Sequence, residues 1–114
     1  MMMNKMEKVK ILGMSSEEYP EGRIDSFTFP LVTGISDKSI IPLFRYLRFT
    51  EDSLEDLDLD FENMSSGTYF FIYGNPKIKA HIIIENKKIS IKLDTSLPKK
   101  NIVSAMEKYF QFPK

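Results

Sequence analysis

The sequence predicts a single α+β domain spanning residues 1–114, in which helices pack on an antiparallel sheet. Three short apolar runs (68–73, 78–84 and 88–93) are joined by turns, as in an antiparallel β-meander. The segment 97–110 places apolar residues at helical spacing. A chain of 114 residues normally builds one core, and helices layered on such a sheet bury the apolar faces of both.

Two further strands are predicted before the meander. The run "KVKILGM" (8–14) is short and rich in branched apolar residues, so we expect a first strand there. The segment 15–23 is polar and contains Pro20 and Gly22, which predicts a loop.

The next strand is predicted over 24–32, where Phe27, Phe29 and Leu31 alternate with smaller residues. A period of two is typical of a strand with one buried face. Because Pro30 has no N–H to donate, this strand should lie at a sheet edge or contain a bulge.

A helix is predicted over about 39–48. Ser39 is suited to the N-cap, which would place Pro42 in the first turn, where its missing N–H is tolerated. The apolar residues at helical spacing are Ile40, Leu43, Phe44 and Leu47.

The meander is expected to form the centre of the sheet, because 68–73 is apolar on both faces. The last helix should follow, with Ser96 as its N-cap and Pro98 close behind. Its sheet-facing side should carry Ile102, Ala105, Met106, Tyr109 and Phe110.

Charge is distributed unevenly, although 16 basic and 16 acidic residues cancel over the whole chain. The segment 49–76 has a net charge of −7 and no basic residue, whereas 77–114 has a net charge of +6. Such a block is either a solvated face or a docking surface for a partner of opposite charge. We expect a basic protein partner, bound by Glu51, Asp52, Glu55, Asp56, Asp58, Asp60 and Glu62.

The conformation of "DLDLDF" (56–61) is open from the sequence alone. As a strand, it would turn its leucines and phenylalanine toward the core and its aspartates toward water. A helix would instead bury Leu54, Leu57 and Phe61 together. The docking hypothesis assumes the alternating arrangement, with all three aspartates pointing outward.

No metal site and no cofactor are predicted. The glycine and the bidentate glutamate that an EF-hand loop requires would fall on Phe61 and Gly67, so this motif is rejected. There is no cysteine, which excludes thiolate ligands and thiol nucleophiles. His81 is the only histidine, and we expect a half-exposed sheet residue without a catalytic task.

No catalytic residues are predicted either. The serines and threonines occur in no nucleophile motif, and the five glycines are isolated, so no phosphate-binding loop is formed. We therefore expect a protein that is not an enzyme.

The alternative is a nucleic-acid-binding or adaptor module that uses the lysine-rich C-terminal half. The run 66–73 matches the RNA-recognition motif only at Gly67, Phe70 and Tyr73, and the order of elements differs, so that family is rejected. We expect nucleic-acid binding to be weak, because the acidic segment repels phosphates. The lysines concerned are Lys77, Lys79, Lys87, Lys88, Lys92, Lys99 and Lys100.

The chain shows neither a signal peptide nor a membrane-spanning run, so a cytoplasmic protein without membrane association is expected. Being small, free of cysteine and acidic in one segment, it resembles bacterial immunity proteins as a class. Lysine outnumbers arginine 13 to 3, a bias typical of AT-rich coding DNA. The resemblance implies an inhibitor that neutralises a cognate toxin, often a basic nuclease, by occlusion rather than by chemistry.

Overall fold

The computed structural model describes residues 8–61, 67–72 and 78–113. The strands are β1 (Val9–Lys10), β2 (Gly13–Tyr19), β3 (Gly22–Pro30), β4 (Gly67–Ile72), β5 (Ile78–Glu85), β6 (Lys88–Thr95) and β7 (Phe110–Gln111). The helices are α1 (Ile41–Tyr46), which a short π-helix (Ser36–Ile40) precedes, α2 (Glu51–Phe61) and α3 (Lys99–Tyr109).

Five strands form one antiparallel sheet in the order β2-β3-β6-β5-β4, and β1 pairs with β7 in parallel. The predicted α+β class and the meander β4-β5-β6 are confirmed. In the β5–β6 hairpin, Asn86 and Lys87 both have positive φ, as the favoured two-residue turn requires.

The meander does not form the sheet centre as predicted, because β4 is an edge strand. The strand β3 pairs with the free side of β6 through contacts such as Phe27 opposite Ile91 and Phe29 opposite Ile89. This long-range pairing makes β6 the middle strand and leaves β4 with β5 as its one neighbour among the described residues.

The predicted loop at 15–23 is wrong, because most of it belongs to the hairpin β2–β3, which turns at Pro20–Glu21. Tyr19 pairs with Gly22 across this turn. A Cβ atom at Gly22 would lie 3.0 Å from the Thr95 carbonyl oxygen and 3.0 Å from the Tyr19 hydroxyl oxygen, so a larger residue would require these neighbours to shift.

The edge position predicted from Pro30 is also wrong, since β3 lies between β2 and β6. Pro30 is the last residue of β3, and the pairing with β2 has already ended at Thr28. The next amide, that of Leu31, donates to the Lys87 carbonyl on the β6 side, 2.9 Å away. Successive amides in a strand point to opposite sides, so the nitrogen of Pro30 points toward the β2 side of β3. At this position β2 has already ended, and no hydrogen bond to it is lost.

One face of the sheet is buried beneath the helices. Alternate residues of β3, β5 and β6 point into this core, which the helices complete through residues such as Leu43, Leu57, Ile102 and Met106. The rings of Phe29 and Phe110 lie 4.5 Å apart between centroids. The other face carries mostly polar residues of intermediate exposure.

The helix predicted at 39–48 is present, but it begins differently. Ser39 is not an N-cap, because it lies inside the π-helix, is buried, and its hydroxyl approaches the Tyr109 carbonyl at 3.5 Å. Pro42 lies in the first turn of α1, as expected.

The C-terminal helix is confirmed over Lys99–Tyr109, with Ile102, Ala105 and Met106 buried. Its N-cap is Pro98 rather than Ser96, and no side chain caps it. Phe110 is buried as predicted, but it leaves the helix and pairs with Val9 in the parallel strand pair.

Candidate functional site: an acidic groove between the first two helices

The acidic segment is helical. The Thr50 side-chain oxygen accepts a hydrogen bond from the Ser53 amide at 3.2 Å, and the Thr50 carbonyl accepts one from the Leu54 amide at 3.0 Å. Thr50 is thus the N-cap of α2, a role that a threonine directly before an acidic first turn could have predicted. Glu51 and Asp52 in the first turn are favoured by the helix dipole.

The alternating arrangement assumed for 56–61 is therefore wrong, because a helix has a period of 3.6 residues rather than two. Two leucines on one helical face fix α2 to the core: Leu54 is 2% exposed and Leu57 is fully buried. The helix includes Asp56, Asp58 and Asp60, whose side chains lie outside the described part of the chain, as does Glu62 altogether.

A groove of ≈ 370 Å³ separates α1 from α2. Ile41, Pro42 and Leu54 give it an apolar lining. Of the seven candidate residues, it brings together Glu51, Asp52 and Glu55, all of them exposed. The rest of the lining is Asp37 and Arg45. We call this feature, with its four carboxylates and one guanidinium, the acidic groove.

The guanidinium of Arg45 is already engaged. Its Nε donates to Oε2 of Glu51 at 3.2 Å, and its Nη2 donates to Oε1 at 3.3 Å. This hydrogen-bonded carboxylate raises the pKa of Arg45. Both side chains are well exposed, 58% for Arg45 and 71% for Glu51. The acidic groove therefore keeps an excess of negative charge at Asp52 and Glu55.

Asp37 also borders a second, basic cleft, which Lys8, Lys38 and Lys108 line on the other side of Pro42. Two of these lysines have contacts of their own. Lys8 donates to the Glu107 carbonyl at 2.7 Å, and the Lys108 ammonium lies 5.1 Å from the ring centroid of Tyr46. The lysines of the basic cleft partly offset the charge of Asp37, so the excess negative charge of the acidic groove lies chiefly at Asp52 and Glu55.

Among the described residues, no group of three or more acidic or histidine side chains is arranged so that it could hold a metal ion. What the acidic groove can hold is a cationic side chain, because carboxylates at its rim match an ammonium or guanidinium group. Its apolar lining matches the aliphatic stem of that side chain.

The described lysines of the C-terminal half do not all lie on one surface, although Lys79, Lys88 and Lys92 share the outer sheet face. On the outer sheet face, Lys79 lies opposite Asp94 and Lys88 lies opposite Glu85. Such cross-strand pairs of opposite charge balance each other locally. Lys92 lies opposite His81, which is half-buried, and this matches the partial exposure expected for the histidine.

The remaining lysines are placed elsewhere. Lys99 and Lys100 begin α3, and Lys99 lines a cleft beneath the sheet. Lys87 occupies the turn between β5 and β6, and Lys77 lies outside the described residues. The described lysines of this half are thus distributed over the outer sheet face, the β5–β6 turn and the start of α3.

Comparison with known proteins leaves the geometry as the basis for a functional assignment. No protein-family model matches the chain, and comparisons with curated proteins and with solved structures find no significant match. Within the described residues, no helix is long and apolar enough to cross a membrane.

Proposed function

We propose that this chain is a non-catalytic protein-binding protein whose acidic groove binds a basic segment of a partner protein. The observation that carries this proposal is the combination of an apolar lining with Asp52 and Glu55 at the rim of the acidic groove. A solvated acidic face needs no such lining, whereas a docking surface for lysine or arginine uses both parts.

The ion pair between Arg45 and Glu51 adds a route to specificity. Exposed pairs of this kind contribute little to stability, so opening one on binding costs little. An arginine of the partner can then take the place of Arg45 on Glu51 with the same bidentate geometry.

The particular form that we propose is an inhibitor of the immunity type, which neutralises a basic, nuclease-like toxin by covering its surface. An inhibitor of this kind requires shape and charge complementarity but no reactive group. The negative field of α2 would also speed its encounter with a basic protein.

The test is co-purification with the product of a neighbouring gene that encodes a basic protein, followed by titration calorimetry of the pair. The variant Glu51→Gln/Asp52→Asn/Glu55→Gln removes three charges from the acidic groove. The matched control Glu21→Gln/Glu85→Gln/Glu107→Gln removes three exposed charges that are scattered over other elements.

We expect the groove variant to bind at least about tenfold more weakly, which corresponds to about 1.4 kcal/mol, and to lose most of the salt dependence. The control should bind as the parent chain does. If both variants bind alike, the acidic groove is only a solvated face. If the partner is a nuclease, one equivalent of the parent chain should block its activity.

A further inference from the structure

The outer edge of β2 is free of any other strand of the described residues, and we call it the free edge. Among the described residues β2 pairs with β3 alone, in an unbroken register from Gly13 opposite Thr28 to Tyr19 opposite Gly22. Residues 14–19 are exposed, and the strand contains neither proline nor lysine, two residues that commonly block such edges. Every second amide and carbonyl of β2 therefore points away from the sheet.

A cleft of ≈ 440 Å³ opens beside this edge, on the sheet face that the helices cover. Its apolar walls are Met14, Phe27, Val103 and Phe112, and the ring centroids of the two phenylalanines lie 6.4 Å apart. Met14 is 53% exposed, so the cleft is open toward the edge.

At the polar end of the cleft, the charge of the Asp25 carboxylate is balanced by the guanidinium of Arg23. Asp25, 1% exposed, accepts hydrogen bonds from Arg23 Nε at 2.8 Å, from Arg23 Nη2 at 2.9 Å and from the Ser16 hydroxyl at 2.7 Å. Because the carboxylate is matched in this way, the cleft suits an apolar side chain rather than a charged one.

Negative charge lies farther along the same edge. Met14, Ser16 and Glu18 face the same side of the sheet, since their partners in β3 are Phe27, Asp25 and Arg23. The charge of Arg23 is matched by Asp25, so that of Glu18 remains in excess. Lys99 lines the cleft itself. A cationic side chain is therefore favoured near Glu18 and disfavoured near the cleft.

We propose that the free edge of β2 binds an extended segment of another protein as an added strand. An apolar side chain of that segment fills the cleft, and a lysine or arginine two residues away lies against Glu18. In this mode the main chain supplies affinity, and pockets for alternate side chains supply specificity. The interface is distinct from the acidic groove and does not depend on it.

A second copy of this chain is a poor occupant. Paired edge to edge, two copies of β2 would place four glutamates and no cation in one strand pair. Like charges across a strand pair are destabilising. The occupant is thus a different polypeptide that carries positive charge.

The probe is the capped peptide acetyl-Thr-Lys-Thr-Leu-Thr-Lys-Thr-amide, which places lysines on both sides of a leucine and so fits either strand direction. Binding to the full chain is followed by amide shifts in proton–nitrogen NMR spectra. Three control peptides replace the leucine by alanine, replace both lysines by glutamate, or N-methylate alternate backbone amides.

We expect the probe peptide to cause amide shifts along 13–19. Each control peptide should bind at least about tenfold more weakly than the probe. Glu18→Lys should weaken binding of the lysine peptide and strengthen binding of the glutamate peptide. Val103→Phe should fill the cleft, so that the leucine side chain no longer fits. Glu55→Lys, which alters only the acidic groove, should leave the amide shifts along 13–19 unchanged. The proposal would be overturned if the N-methylated peptide or the alanine peptide bound as tightly as the probe, or if the amide shifts lay on α2 instead of β2. None of these outcomes would decide whether the acidic groove binds a partner.

Discussion

At the scale of single residues, two ion pairs of the described part of the chain have opposite surroundings. The pair between Arg23 and Asp25 is largely buried, with 12% and 2% of the side chains exposed, and Arg23 Nη2 also donates to the Leu97 carbonyl at 2.9 Å. It ties β3 to the segment that leads into α3. The pair between Arg45 and Glu51 is exposed.

We predict that Asp25→Ala lowers the free energy of unfolding by about 3–5 kcal/mol, because it leaves a buried guanidinium without its partner. Glu51→Gln should change it very little, because water already solvates both groups. Urea denaturation of the two variants beside the parent chain measures both values. Equal losses would show that the two pairs do not differ in burial.

The Tyr19 hydroxyl donates a hydrogen bond to the Asp94 carboxylate. This bond, followed by desolvation and by the negative charges of Asp94 and Glu21, raises the pKa of Tyr19 above its ordinary value of 10.0. A raised pKa means that the folded chain holds this proton more tightly than the unfolded chain. The resulting stabilisation is complete below pH 10.0 and is lost as the pH rises through the higher value.

Alkaline absorbance titration, with Tyr19→Phe subtracted to isolate one of the five tyrosines, should show Tyr19 ionising with a pKa above the ordinary value of 10.0. Asp94→Asn should lower the pKa of Tyr19 toward the ordinary value. A Tyr19 titration that Asp94→Asn leaves unchanged would contradict the assigned cause.

At the scale of elements, α2 carries charged residues on its exposed side and packs against the core through Leu54 and Leu57. Leu57 is fully buried, whereas Glu55 on the same helix is exposed. We predict that Leu57→Ala lowers the free energy of unfolding by about 2–5 kcal/mol, since it leaves a cavity between α2 and the core. Chemical denaturation measures the loss.

Glu55→Ala is the matched control on α2, and it should change the free energy of unfolding by less than about 0.5 kcal/mol. If Leu57→Ala were equally mild, α2 would not be fixed to the core. The acidic groove would then have no rigid second wall.

At the scale of the whole molecule, elements with strong local patterns could be predicted from the sequence. The strands of the meander and the helix around Ile102 and Met106 follow from short-range periodicity, and the structure confirms them. The centre of the sheet could not be predicted, because it depends on Phe27 and Phe29 pairing with Ile91 and Ile89, which are sixty or more residues away in the sequence.

The candidate site was predicted only in part, for the same reason. Glu51, Asp52 and Glu55 stand out in the sequence as a run of one charge. Asp37 and Arg45 gave no such signal, because they lie on earlier elements that border the acidic groove only once the chain is folded. The alternating aspartates favoured a strand, but the cap at Thr50 and the burial of Leu54 favour a helix.

The central claim is that the acidic groove recognises basic polypeptide. Its most direct test is a titration of the labelled chain with a short oligolysine peptide, followed through amide shifts in proton–nitrogen NMR spectra. We predict shifts centred on Asp37, Arg45 and 51–55, which weaken with added salt and disappear in Glu51→Gln/Asp52→Asn/Glu55→Gln. Shifts that are confined to the sheet, or that persist unchanged in this variant, would contradict the claim.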